Sequence, residues 1–328
     1  MPRETQGAGN LFVYSDTNKR YHTYDYYLRH TFGEKCAKIV LDAGFTCPNR
    51  DGRCGSGGCI YCSGRGSGDF ACSPSLGLAE QYRRQREILS QKWSFSKTVA
   101  YLQPHTNTYA PVERLREVYE EALALPGVVG MNIATRADCL PDEVIELLAE
   151  LSEKTVLTVE LGLQTVHDET AALIGRGHDF ACFLDAWERM RQKAPRVRLG
   201  AHLIFGLIGE SDEMMVQSVQ KLADLCPDEV KLHYLYVLEG TEIARIYRDG
   251  GYLPIERDRY TDLVVSALEL LPPETVIARL TGDGEAKKLL APLWGVSKRK
   301  IFNEIDKKMY ERDTWQGKKR PLSEQAKP

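Results

Sequence analysis

The chain has 328 residues, 43% of them hydrophobic and 27% charged, with a net charge of −3. That length holds one large core or two ordinary ones, and the charge excludes a polycation. No apolar run reaches bilayer length, residues 1–10 lack the basic and apolar regions of a secretory leader, and nine cysteines, five of them scattered singly, fit a reducing compartment; a cytoplasmic protein with no membrane partner is expected.

In chain order, residues 11–32 read as a tyrosine-rich arm ending in a short helix over Tyr24–Phe32. Ala37–Ala43 is an apolar, β-branched strand, and Leu76–Lys92 is an amphipathic helix. The pattern then repeats. Strand Thr98–Gln103 precedes helix Val112–Ala124. Strand Val128–Ala134 precedes helix Asp142–Leu151, with Pro141 at its first position. Strand Val156–Leu163 precedes a helical stretch ending near Gln192. Strand Val197–Phe205 precedes helix Asp212–Leu225, and strand Glu229–Val237 precedes helical segments over Thr241–Leu271. Six strands alternating with helices predict an α/β fold with a parallel sheet, either a partial barrel or an open doubly wound sheet. A short strand Val276–Leu280 and a turn lead to a helical, basic stretch over Leu289–Arg312, and Gly317–Pro328 read as frayed. Between Ala286 and Arg320 eleven Lys/Arg face four Asp/Glu, a local charge of +7.

The chemistry concentrates in one loop. Cys47, Cys54, Cys59 and Cys62 lie within sixteen residues, after the first strand and among four glycines. Thiols so close in a chain of this type read as metal ligands rather than disulfides. Structural zinc commonly takes two distant thiol pairs, whereas only Cys59 and Cys62 form a C-x2-C pair here. Three thiolates suit a four-iron cluster with one open iron. The residues alone leave zinc and iron–sulfur both open. Ligands of such sheets gather at the C-terminal strand ends, where this loop begins.

The run AGFTCPNRDG…GGCIYCSGRGSGDFA resembles the cluster loop of the radical S-adenosylmethionine (SAM) enzymes, in the YtqA/YhcC branch related to the Elongator catalytic subunit. Most such loops are C-x3-C-x2-C; this branch widens the first gap, as in Cys47-x11-Cys59-x2-Cys62. The resemblance extends through RYHTYDYYLRHTFGEK, QPHTNTYAP, IATRAD, ELGLQT, HLIFGLIGE, KLHYLYVLEGT, RLTGD and the tail APLWGVSKRKIFNEIDKKMYERDTWQGKK, nearly the whole chain. Two departures are Cys54, an extra thiol that reads as a bystander, and Ile208, where a proline is usual.

The resemblance implies a partial (β/α)6 TIM-like barrel over residues 37–275, after an arm and helix at 1–36 and before a basic helical, RNA-binding extension at 276–328. It implies a 4Fe-4S cluster on Cys47, Cys59 and Cys62, with SAM on the open iron. Tyr61 would pack beside the adenine. Thr106, Asn107 and Thr108 stand where relatives bind the SAM amine, and are also ordinary turn residues. Glu160 and Gln164 would meet the SAM ribose or methionine, and Gly206 to Glu210, with Gly206 and Ile208, would wall the adenine pocket. Tyr61, Arg136, Lys231 and His233 are the candidate catalytic residues, with Asp138 and Arg279 also on the substrate side. For His233, as for His105 and His202, a satisfied structural histidine competes. Ser67 and Asp69 read as structural. The implied function is modification of the wobble uridine of tRNA, carboxymethylaminomethyl to aminomethyl, with a flavodoxin or ferredoxin as reductant. The alternatives are radical chemistry on a small metabolite and a non-catalytic zinc module that binds nucleic acid.

Overall fold

The structure, a computed structural model, describes residues 12–66, 68, 71–282 and 284–320. In chain order its elements are α1 (Tyr24–Phe32), β1 (Ala37–Leu41), α2 (Leu78–Ser90), β2 (Thr98–Leu102), α3 (Val112–Leu123), β3 (Val128–Thr135), α4 (Asp142–Ser152), β4 (Val156–Gln164), α5 (Asp168–Leu173), α6 (Phe180–Lys193), β5 (Arg198–Phe205), α7 (Asp212–Asp224), β6 (Glu229–Tyr234), β7 (Val237–Leu238), α8 (Glu242–Arg248), α9 (Arg257–Leu270), β8 (Val276–Arg279), β9 (Leu289–Ala291) and α10 (Lys298–Glu311). Local chemistry sets several boundaries. Thr23 caps α1 by accepting from the Tyr26 amide at 3.1 Å, and Gly33 ends it at φ +78°. Asp179 caps α6 and Ser211 caps α7 in the same way. Pro141 stands at the N-cap of α4, one position earlier than the sequence suggests.

Seven strands form one parallel sheet in the order β1-β2-β3-β4-β5-β6-β8, the curled half-barrel of the α/β class. The expected six strands fall one short. Val276–Arg279, placed by the sequence in the C-terminal extension, pairs with β6, so the sheet continues past residue 275. β6 ends at Tyr234, and Val237–Leu238 instead pairs antiparallel with β9. The expected helix over Leu289–Arg312 is broken into β9, a 3-10 turn at Leu293–Val296 and α10. Pro292, at the N-cap of that turn, lacks the amide that a continuous helix would need.

α10 buries Ile301, Ile305 and Met309 at four-residue spacing in the main core, beside the helices that cover the sheet. Its charges meet the acidic flank of α9. Lys308 reaches Asp258 at 2.7 Å and Asp262 at 2.8 Å, Arg312 also holds Asp262, and Arg257 meets Glu304 at 2.8 Å. Trp294 packs on Tyr234 and Tyr260 and donates to the Ile255 carbonyl at 3.1 Å, so it is a packing residue rather than an exposed stacking platform. No helix among the described residues is long and apolar enough to cross a membrane.

The end of the chain is held, not frayed, as far as residue 320. The Gly317 and Lys319 amides donate to the carbonyls of Leu268 and Glu269 at 3.0 and 2.9 Å. Residues 321–328 lie outside the described residues. Fully buried Gln316 is the clasp. Its side-chain oxygen accepts from the His22 amide at 2.9 Å, and its amide nitrogen donates to the carbonyls of Thr275, at 2.8 Å, and Pro272. Gln316→Ala leaves the His22 amide and the Thr275 carbonyl without partners, while Pro272 keeps the Thr275 amide, and is expected to cost about 2–4 kcal/mol. Urea denaturation measures it; an unchanged midpoint would show that arm and tail do not depend on this side chain.

Candidate active site

The cysteine loop follows β1 at the C-terminal end of the sheet and is pinned rather than loose. The Gly58 amide donates to the Asn49 carbonyl at 2.7 Å, and the Ile60 amide to the Ile174 carbonyl at 3.0 Å. Asn49 Nδ2 reaches the Gly175 carbonyl at 2.5 Å and Cys59 Sγ at 3.5 Å. Arg50 donates to the Cys62 carbonyl at 3.2 Å. Cys47, Cys59 and Cys62, half-buried and outside any disulfide, line one central cavity with Arg50, Arg136 and Arg176. Cys54 is exposed, 4.0 Å from Asp138, and is not among the cavity-lining residues.

Three thiols ringed by guanidinium groups suit a sulfur-ligated, electron-rich cluster, whose ligands must be thiolates. No three His, Cys, Asp or Glu side chains converge on a single-ion site among the described residues; a cluster several atoms across takes more widely spaced ligands than one ion does. The same cavity holds buried polar atoms without partners, Thr106 Oγ1 and His105 Nδ1. Such atoms cost free energy unless a ligand or water meets them.

Arg176 was missed by the sequence reading, which put it in a helical stretch. It lies between α5 and α6, flanked by Gly175 and Gly177 at φ +65° and +79°. Its Nε donates to the Gly162 carbonyl at 3.1 Å, and its own carbonyl accepts from Arg136 Nη1 at 2.9 Å. The glycine-flanked arginine of Gly175-Arg176-Gly177 was the available signal. Gly162 allows this approach: a Cβ there would sit 2.9 Å from the Arg176 guanidinium and 2.8 Å from the Gln164 amide. Gln164 itself takes φ +73° in a bulge that ends β4, a strained state common at ligand sites.

The cavity floor is a charged network. Glu160 Oε2 accepts from Tyr101 Oη at 2.8 Å, from His202 Nε2 at 3.0 Å and from Lys231 Nζ, while Oε1 accepts from Asn132 Nδ2 at 2.8 Å. Lys38 Nζ lies 3.5 Å from Oε1. Burial alone would raise the Glu160 pKa; Lys231 and Lys38 hold it well below the usual carboxylate range. Burial pushes Lys231 down to about 7 despite Glu160. Burial, then Lys231, brings His202 down to about 4. Burial, then Arg279, takes His233 well below its ordinary value.

Several expectations change. Glu160 lines the cavity, yet its oxygens are taken by five protein donors, so it serves the floor rather than standing free for a ribose. Thr106 faces the cavity, but Asn107 and Thr108 are absent from its described lining. Asn107 Nδ2 donates to the carbonyls of Leu102, Pro104 and Ala134, and Thr108 Oγ1 contacts Thr135 Oγ1 and the Cys139 carbonyl: both hold the loop. Gly206 and Ile208 also lie off that lining. Gly206 packs under Ile255, and Ile208 shares a small apolar cluster with Tyr61 and Ile60. Arg136 is committed to Asp138 by bonds of 2.7 and 2.8 Å, which hold it charged against its burial. Tyr61, Gln164, Lys231 and His233 all line the cavity. His202 is a satisfied histidine; His105 and His233 each keep a buried nitrogen without a partner. Ser67 and Asp69 lie outside the described residues.

This cavity, at the thiol-bearing end of a seven-stranded half-barrel, defines a class. The chain belongs to the radical SAM superfamily: that family's model matches residues 50–222, and the Radical_SAM C-terminal domain matches residues 227–311. Its cofactors are therefore a 4Fe-4S cluster and SAM, and the zinc-module reading falls. Among relatives, the chain is 46% identical over 309 residues to the uncharacterized protein YtqA of Bacillus subtilis, covering 94% of this chain and 95% of that one. It is 24% identical over 202 residues to a tRNA uridine(34) acetyltransferase of Methanocaldococcus infernus, covering 60% of this chain and 36% of that enzyme. The solved structure of Elp3 from the same archaeon shares the fold, with a TM-score of 0.64 at 20% identity, over 86% of this chain and 64% of that one.

Below the floor, Glu229 is buried with neither carboxylate oxygen hydrogen-bonded; Lys38 lies 3.9 Å away. Burial raises its pKa to about 7. A carboxyl group raised in this way favours the native state below its unfolded pKa, near 4.5, and loses that contribution as pH rises through 7. Glu229→Gln is therefore expected to change stability little at pH 4 and to raise it by about 1–3 kcal/mol at pH 8. Chemical denaturation at the two pH values tests this; an equal effect at both would show that the carboxyl titrates normally.

Proposed function

We propose that this radical SAM enzyme acts in the cytoplasm on the wobble uridine of tRNA and converts its carboxymethylaminomethyl side chain to aminomethyl. The similarity to a tRNA uridine(34) acetyltransferase carries the choice of RNA over a small metabolite. Nine cysteines with no disulfide among them suit a reducing compartment.

Cys47, Cys59 and Cys62 would hold the cluster, with Arg50, Arg136 and Arg176 balancing its charge. The bound cofactors would supply one-electron cleavage of the sulfonium and a carbon radical that takes hydrogen from the substrate, with electrons from a flavodoxin or ferredoxin. Tyr61, in one apolar cluster with Ile60 and Ile204, would cover the flat adenine ring. Thr106 Oγ1 and the Gln164 amide would meet the polar end of SAM. Lys231, with its pKa near 7, would exchange a proton with the substrate amine near neutral pH. His233 would contact the arm being removed. The reaction balances with the carboxymethyl group leaving as glyoxylate: water supplies the carbonyl oxygen, and the two electrons lost by the substrate reduce SAM to methionine and 5′-deoxyadenosine, so the electron lent by the reductant would be returned and not consumed.

Anaerobic reconstitution of the full chain with SAM, a reductant and tRNA carrying the carboxymethylaminomethyl group tests this reading. The expected result is aminomethyl uridine, with glyoxylate and 5′-deoxyadenosine in equal amounts. Alanine at Cys47, Cys59 or Cys62 should abolish cluster colour and product, while Cys54→Ala should retain both. Cleavage of SAM with no change in nucleoside mass would rule out this substrate.

A further inference from the structure

The cavity floor is lined with nitrogen donors: two imidazoles that burial keeps neutral, the Lys231 amine and the Arg279 guanidinium. His202, Lys231 and Arg279 lie side by side across β5, β6 and β8, because His202 pairs in register with Lys231 and Lys231 with Arg279. Two residues further toward the mouth on β6, the His233 ring stacks with His202, their centroids 5.7 Å apart. All four line the cavity. The only carboxylate among its described lining residues is Glu160, whose oxygens already serve five donors. Glu229, on the same face of β6 and 3.9 Å from Lys38, is not among those lining residues. His233 Nε2 is buried there with nothing to bond. A buried imidazole nitrogen with nothing to bond, in the same lining as a guanidinium, matches an anionic acceptor that arrives with the ligand.

We propose that this row is the receptor for a carboxylate of the substrate, with His233 Nε2–H and the Arg279 guanidinium touching it and Lys231 as the charge behind. An arginine fork beside an imidazole suits a planar carboxylate. Tyr234 and Tyr236 line the same cavity, and a slim arm ending in a carboxylate reaches a recessed floor that a phosphodiester, flanked by two sugars, does not. The inference deepens the function proposed above and rests on it only for the identity of the molecule bearing the carboxylate. The receptor would make the wild-type enzyme select the carboxymethyl arm over its uncharged analogues.

The test uses the full-length, cluster-loaded protein. Calorimetry with acetate, acetamide and inorganic phosphate is expected to show acetate binding with a Kd on the order of 1 mM and no binding of acetamide. Arg279→Gln and His233→Leu should each weaken acetate about tenfold or more, and Arg279→Lys should restore part of the loss. The proposal is overturned if acetate and acetamide behave alike, if phosphate binds and acetate does not, or if variants with native melting curves bind acetate as the parent does. The comparison of acetate with acetamide on the unmutated protein decides the matter even if a variant does not fold. Acetate selectivity without turnover of either carboxymethylaminomethyl or unmodified tRNA sinks the RNA reading and supports the receptor. Turnover of tRNA without acetate selectivity sinks the receptor and keeps the RNA reading.

Discussion

One buried carboxylate organises the inside of this half-barrel. Glu160 stands on β4, the middle strand of seven, and receives Lys38 from β1, Tyr101 from β2, Asn132 from β3, His202 from β5 and Lys231 from β6. Five strands thus aim their inward polar groups at one acceptor. Isolated charges in such a place are ruinous, and the network persists only because every member is tied to another. Its net contribution to stability is small, since desolvation offsets most of the attraction. Breaking it from one side is a different matter: removing a partner of a buried pair costs about 3–5 kcal/mol. The carboxylate therefore acts on curvature and register more than on the sum of stabilising energy.

That arrangement separates the cavity into two chemical zones. At the mouth are thiols and guanidinium groups, together with two non-glycine residues at positive φ, His105 at 62° and Gln164 at 73°. At the floor are amine, imidazole and phenol groups whose charges are set by burial and by one another. Strands covered on both faces are ordinarily apolar throughout, and the outward faces here obey that rule, with Leu157, Val159 and Leu161 of β4 all buried in the main core. Only the inward face departs from it. A polar interior has no packing advantage, so its cost is borne for the ligands of the cavity.

The alternation of strands and helices was legible from residue patterns because each strand is a short β-branched run and each helix carries an apolar stripe. The cysteine group was legible because its members crowd into one loop, and the structure brings Cys47, Cys59 and Cys62 to one cavity. Glu160 and Gln164 stood out as polar residues in a strand that should be apolar, but their partners did not: Tyr101, Lys38 and Asn132 come from strands 28 to 122 residues away in sequence, and no local rule pairs them. Asn107 and Thr108 misled for the opposite reason. A short amide or hydroxyl looks the same in sequence whether it binds a ligand or ties down a loop. The seventh strand was recognised as a strand, yet its place beside β6 depends on a crossover through α8 and α9, which local periodicity does not reveal.

The C-terminal extension shows why charge counts need structure. Its excess of cations suggested one continuous surface for phosphates, but the folded chain divides it. The later half of α10 is neutralised by Asp258 and Asp262 of α9, and its buried stripe makes it part of the core, so deleting the extension would remove core rather than a separate module. The first turn differs: Lys298, Arg299 and Lys300 are exposed there, and the turn itself holds no acidic residue. Cations at a helix N-terminus oppose the macrodipole and are unfavourable for the helix alone. The same potential attracts phosphates, with a strength that falls as salt rises. This turn follows the Trp294 segment, which packs against Tyr234 in the cavity wall.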